Sequence, residues 1–216
     1  MATLRIAPTE RDVLLVTDVQ NDFCPGGALA VPRGDEIIPP INRLARRFPH
    51  IVLVQDWHPK GHVSFASSHP GKRPYDTIGL AYGPQTLWPD HCIQGSVGAA
   101  FHPDLDIPFA ELILRKGFHK NIDSYSAFYE NDRKTPTGLG GYLRERGLHR
   151  IFFVGLATDY CVRFSALDAR REGFEATVVE SACRAIDLEG SLRAALDEMH
   201  ASGVGFVTHE MITGNS

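Results

Sequence analysis

Short apolar runs punctuate the chain at residues 13–16, 51–54, 112–114, 151–154, 176–179 and 204–207. Apolar residues at successive positions, instead of every second one, predict strands covered on both faces. Between the runs the period changes to that of a helix. Over residues 158–173, Val162, Ala166 and Ala169 fall on one stripe, while Arg163, Arg170, Arg171 and Glu172 lie off it. Gly173 supplies the stop and Thr158 a candidate N-cap. Residues 188–202 repeat the pattern through Leu192, Leu196 and Met199, with Gly203 as the stop. Shorter helices are expected at 140–146 and at 36–48, where Pro39 and Pro40 bend the helix or delay its start.

Strands alternating with helices predict an α/β fold: one parallel sheet with right-handed crossovers and helices on both faces, a three-layer α/β/α arrangement. Residues 58–108 fit neither period and are rich in Gly, Pro, His and Ser. An irregular stretch of that length is expected to carry short elements and to build a site. No repeat, low-complexity tract or linker divides the chain, so residues 1–216 read as one domain.

Composition then excludes several functions. The chain carries 22 Lys and Arg against 26 Asp and Glu, a net charge of −4, which rules out a basic surface for nucleic acid. With 43% hydrophobic and 22% charged residues it has the make-up of a folded globular chain. No apolar run approaches the roughly 18–20 residues of a membrane helix, and Arg5, Glu10, Arg11 and Asp12 interrupt any signal-peptide core, so a cytoplasmic location is expected. Cys24, Cys92, Cys161 and Cys183 are too sparse for a disulfide scaffold and read as reduced thiols.

Ligands of open α/β sheets bind beyond the carboxyl ends of the strands, and four predicted strands end in reactive groups. The first leads into Asp18, the second into Asp56 and His58, the third into Arg115 and Lys116, and the fourth into Cys161. Cys161 falls about one turn inside a helix start, where the helix dipole is expected to favour its thiolate. A buried apolar thiol is the alternative for Cys161 and the expectation for the other three. Asp56 and His58, two apart on an extended segment, point the same way. Together with His62 and His91 they form a carboxylate–imidazole set suited to Zn²⁺ or Fe²⁺, although histidines near prolines are also common surface residues. The remaining histidines read as surface or packing residues.

Six segments in order carry a family resemblance: DVQNDFCPGG from Asp18, DWHPKGH from Asp56, WPDHC from Trp88, RKG from Arg115, DSYSAF from Asp123 and GLATDYCV from Gly155. Together they resemble the nicotinamidase and pyrazinamidase branch of the isochorismatase-like cysteine hydrolases, over roughly residues 13–180. The resemblance implies a six-stranded parallel sheet and hydrolysis of nicotinamide to nicotinate and ammonia, a reaction of NAD salvage, with pyrazinamide also accepted. It implies a triad of Asp18, Lys116 and Cys161, and one divalent ion, Zn²⁺ first with Fe²⁺ or Mn²⁺ as alternatives, on Asp56, His58 and His91. His62 is left outside that set. It further implies a cis peptide between Leu156 and Ala157, an oxyanion hole from the Ala157 and Cys161 N–H groups, and substrate contacts from both residues of that peptide. Phe23 and Trp88, with Tyr125 beside them, are candidates to enclose the ring, a role they share with service as core aromatics. A relative acting on isochorismate would need neither Cys161 nor a metal, and a silent binding protein would show an eroded triad. Neither pattern is present. A homo-oligomer stays open.

Overall fold

The computed structural model describes residues 5–214. Its main sheet has six parallel strands in the spatial order β5 (Leu112–Lys116), β2 (His50–Asp56), β1 (Asp12–Thr17), β6 (Arg150–Leu156), β7 (Glu175–Arg184) and β8 (Gly205–Val207). All six predicted strands are present. β1 shows why continuous apolar runs suit this position: Leu14 and Val16 enter the core on one face, Val13 and Leu15 the core on the other, and none is more than 1% exposed. A strand in the middle of a covered sheet has no solvent side to mark with polar residues.

One face is covered by α1 (Ile38–Ala45), which contributes Ile38, Ile41 and Leu44 to a core containing Phe152 and Val154. The opposite face is covered by α2 (Leu139–Glu145), α3 (Arg163–Arg171) and α4 (Ser191–Ala201), through Leu143, Leu167 and Met199 among others. The three-layer expectation is therefore met. Pro39 and Pro40 lie in the first turn of α1, where no intrahelical N–H is lost, so they delay the start without breaking the helix. α4 begins three residues later than its apolar pattern suggests, because Asp187 and Glu189 adopt left-handed φ values of 55° and 51°.

Thr158 does not cap the following helix. Residues Thr158–Val162 form a π-helical turn that runs into α3, and the residue preceding it, Ala157, offers no side-chain cap. The irregular stretch after β2 does carry short elements. A hairpin of β3 (Thr77–Leu80) and β4 (Gly83–Thr86) stands apart from the main sheet, and isolated bridges tie His58 to Ile93 and Phe65 to Trp88. Among the described residues no helix is long and apolar enough to cross a membrane.

Strand order reverses between β1 and β6, which places a crevice at their carboxyl ends. Gly155 makes the close pairing there possible. At φ 115° it lies opposite Thr17, and a Cβ built on it would come within 2.0 Å of the Thr17 carbonyl oxygen. Gly155→Ala is expected to lower stability by about 1–3 kcal/mol or more, since backbone would have to move, with the urea midpoint of the purified variant as the measurement.

Candidate active site

Four strand ends converge in the crevice. Asp18 follows β1, Asp56 closes β2, Lys116 closes β5, and Cys161 lies in the π-helical turn after β6. Asp56 and Lys116 are register partners, so the sheet itself sets their ion pair. The Lys116 Nζ also lies 3.0 Å from Asp18 Oδ2, 3.4 Å from Cys161 Sγ and 3.0 Å from the Ser124 carbonyl oxygen. Asp18 and Lys116 are fully buried. Asp18 takes a left-handed φ of 52°, a conformation rare outside Gly, Asn and Asp that turns the chain sharply at the strand end.

Burial pushes the Asp18 carboxyl up to about 6, against the opposing pull of Lys116. Burial also disfavours the Lys116 ammonium, but Asp18 and Asp56 outweigh it and hold Lys116 well above its usual range. The same burial, added to by the two carboxylates and opposed by Lys116, raises the Cys161 thiol well above its ordinary value. This corrects the expectation of a resting thiolate. A helix start offers only partial positive charge, whereas desolvation and two full negative charges oppose ionisation. Cys161 therefore rests as a thiol, and the buried carboxylate of Asp18, whose one close charged partner is Lys116, is the proton acceptor nearest to hand.

A second cluster adjoins the first. A carboxylate oxygen of Asp56 and ring nitrogens of His58 and His91 all lie within 4.8 Å of one another. His58 donates from Nδ1 to the Gly117 carbonyl at 2.8 Å, and His91 from Nδ1 to the Pro89 carbonyl at 2.8 Å. In the neutral rings this leaves each Nε2 lone pair facing Asp56 Oδ2, at 3.6 and 3.8 Å. Those spacings are too long for hydrogen bonds. They are close to the roughly 3.0–3.5 Å that separates ligand atoms sharing one ion at about 2.0–2.1 Å. The donor set therefore fits a divalent transition metal. Gly117 is required for this placement, since a Cβ on it would meet the His58 ring at 2.4 Å.

His62 stays outside the set. Its Nε2 donates to the His119 and Ile122 carbonyls at 3.0 and 3.2 Å, and its Nδ1 meets the Ser64 hydroxyl at 2.7 Å. Phe23, Trp88, Tyr125, Ala157 and Cys161 line a small cavity together with Asp56, His58 and His91. Leu156 does not. Although the Leu156–Ala157 peptide is cis, the Leu156 side chain is fully buried in the core, near Gly34.

The sequence reading did not single out Leu29, Asp123, Tyr160 or Ile186, which also line the cavity. Asp123 and Tyr160 lie inside quoted motifs; Leu29 and Ile186 sit in loops without a pattern. It also missed how the site is braced. Gln20 accepts from the Asp56 N–H at 2.8 Å and donates to the Asp56 and Ala99 carbonyls at 2.9 and 2.8 Å, which locks the end of β2. Asp22 accepts from the Cys92 N–H at 2.7 Å.

With this geometry in place, comparison with known proteins decides the family. The family model described as Isochorismatase domain matches residues 12–211. The chain belongs to the isochorismatase family. Among curated relatives it is 57% identical to a nicotinamidase of Acinetobacter baylyi over 204 residues, which span 94% of this chain and 95% of that protein. A solved nicotinamidase and pyrazinamidase of Acinetobacter baumannii superposes with a TM-score of 0.93 at 56% identity, covering 94% and 98% of the two chains. A Pyrococcus horikoshii pyrazinamidase solved in complex with zinc gives 0.76 at 37% identity, covering 92% and 99%. In this isochorismatase family chain the motif positions carry an intact set of acid, cation, thiol and imidazoles.

Because Asp18 must be ionised to accept a proton and its value is pushed up to about 6, kcat/KM for an amide substrate is expected to fall as pH drops through that region. Asp18→Asn should abolish the acid limb together with most of the activity. A stopped pH series on both proteins checks this.

Proposed function

We propose that this chain is an amidohydrolase that converts nicotinamide to nicotinate and ammonia, with pyrazinamide as a second substrate, through a thioester on Cys161. The observation that carries the reading is the Lys116 ammonium lying within 3.0 Å of Asp18 and 3.4 Å of Cys161 in a buried crevice whose lining includes Cys161. The identity to nicotinamidases over nearly the whole chain supports the substrate. The domain matched over residues 12–211 is the catalytic unit, acting in the cytoplasm as a step of NAD salvage.

Carboxamides resist attack, so the site must supply a nucleophile, stabilise an oxyanion and protonate the leaving nitrogen. Asp18 takes the proton of the Cys161 thiol as the sulfur bonds to the carbonyl carbon. The N–H groups of Ala157 and Cys161 receive the developing oxyanion. Asp18 then returns the proton to the amide nitrogen, the C–N bond breaks and ammonia leaves. Water adds to the thioester while Asp18 takes its proton, and the C–S bond breaks to give the acid and the thiol. Lys116 stays charged throughout and offsets the negative charge as it moves among carboxylate, sulfur and oxygen. Phe23, Trp88 and Tyr125 enclose the ring. A divalent ion on Asp56, His58 and His91, with zinc the first choice, would act as a Lewis acid that anchors the pyridine nitrogen.

Cys161→Ala is expected to abolish ammonia release while leaving the fold and ligand binding nearly intact, because it removes the nucleophile with little loss of volume. Ammonia assays and calorimetry with nicotinate check this, and retained turnover would rule out the thioester. Benzamide keeps the amide and the ring shape but lacks the nitrogen. It should be a substrate worse by orders of magnitude in kcat/KM, as is usual when a desolvated partner is left unpaired.

A further inference from the structure

Asp123 has no part in the triad or the proposed ligand set, yet it is a buried carboxylate, 2% exposed, in the cavity wall. It accepts from the Ser124 N–H at Oδ1 and from Gln85 Nε2 at Oδ2, each at 2.8 Å, so two donors fix it as an acceptor. Gln85 comes from β4, and the same amide nitrogen donates to the Tyr125 hydroxyl at 3.0 Å. One carboxylate oxygen of Asp123 lies within 4.8 Å of ring nitrogens of both His58 and His62.

That grouping is not a second metal centre. The carbonyls of His119 and Ile122 can only accept, so His62 Nε2 carries the hydrogen. Nδ1 is taken by the Ser64 hydroxyl, which leaves His62 no free lone pair. What Asp123 adds is charge. With Asp56 in the same wall and Asp18 behind it, Asp123 makes three buried carboxylates, and Lys116 is the buried ammonium among them, leaving a formal charge of −2 with the imidazoles counted neutral. Buried charge on that scale persists only when it is compensated. The Nε2 lone pairs of His58 and His91, buried and without hydrogen-bond partners, face the point where compensation would bind.

We infer that Asp123 is a counter-charge residue for the divalent cation that Asp56, His58 and His91 would hold, setting the affinity of that centre without joining its ligands. The inference rests on the ligand set proposed above. It makes Asp123 a positioning residue for the reaction, and it gives the hairpin of β3 and β4 a function: through Gln85 it holds the carboxylate in place.

The test uses the full chain stripped of metal by a chelator, with Zn²⁺ titrated against a chromophoric competitor. Asp123→Asn is expected to raise the Zn²⁺ Kd by about 10–100-fold, the range typical of groups that support a metal from outside its ligands. Asp123→Glu, which keeps the charge, should recover most of the affinity. Thermal melts separate charge from scaffolding. The metal-free Asn variant, which must turn its amide nitrogen towards one of the two donors, should melt somewhat below the metal-free wild type, and the gap should widen on adding Zn²⁺ because the variant gains less from the ion. Asp123→Ser carries the same test should the Asn variant not fold. An unchanged Kd, or an equal loss of melting temperature with and without Zn²⁺, overturns the inference. Wild type that binds no Zn²⁺, or binds it equally well after His91→Ala, overturns the ligand set itself. Tight binding by Asp123→Asn that still depends on His91 overturns only the role of Asp123.

Discussion

Burying the Lys116 ammonium alone would cost several kcal/mol, on the order expected for any ion removed from water, so its surroundings must be arranged to receive it. Asp56 and Asp18 supply the charge, the Ser124 carbonyl and Cys161 fill the remaining directions, and all of them come from different parts of the chain. The paired carboxyl ends of the strands bring these groups together. Removing both carboxylates would leave the cation uncompensated, and removing Lys116 would leave two carboxylates facing a thiol. The same electrostatics accounts for the resting thiol: a site with this much negative charge disfavours a further anion until a proton acceptor and an electrophile are both in place.

Precision at the crevice comes from backbone constraints more than from side-chain packing. Parallel register makes Asp56 and Lys116 neighbours. Gly155 permits β6 to close on Thr17, and Gly117 permits the His58 ring to rest against the end of β5 and donate to its carbonyl. Both imidazoles hold their tautomers through backbone carbonyls, which leaves Nε2 of each facing the same carboxylate oxygen. A carbonyl held by the fold is a more rigid partner for a histidine than a mobile side chain, and second partners of this kind orient the donors of metal centres. The Asp18–Lys116–Cys161 cluster and the imidazole cluster share Asp56, whose Oδ1 faces Lys116 and whose Oδ2 faces both imidazoles.

The fold was legible in the sequence because burial on both faces of a parallel sheet leaves a strong local mark: six apolar runs, and helices whose stripes name their inner faces. The candidate groups were legible because ligand sites in such sheets lie where strands end, and four strands ended in complementary chemistry. Local pattern was less informative where backbone conformation broke it. Left-handed φ values at Asp187 and Glu189 shifted the start of α4, and a π-helical turn replaced the capped start expected at Thr158.

By itself, then, the sequence determined the layered parallel fold, the residue types available to the site and the order in which the chain delivers them. Tertiary structure alone decided how they act. Desolvation and the two carboxylates keep Cys161 a thiol, the direction of its side chain sends Leu156 into the core, and Ser64 with a distant loop engages both ring nitrogens of His62, while Asp123, Tyr160 and Ile186 are brought to the cavity. The physical reason is range. Hydrophobic period is written between near neighbours in sequence, whereas burial, hydrogen-bond partners and net local charge depend on residues that meet only after the strands have paired.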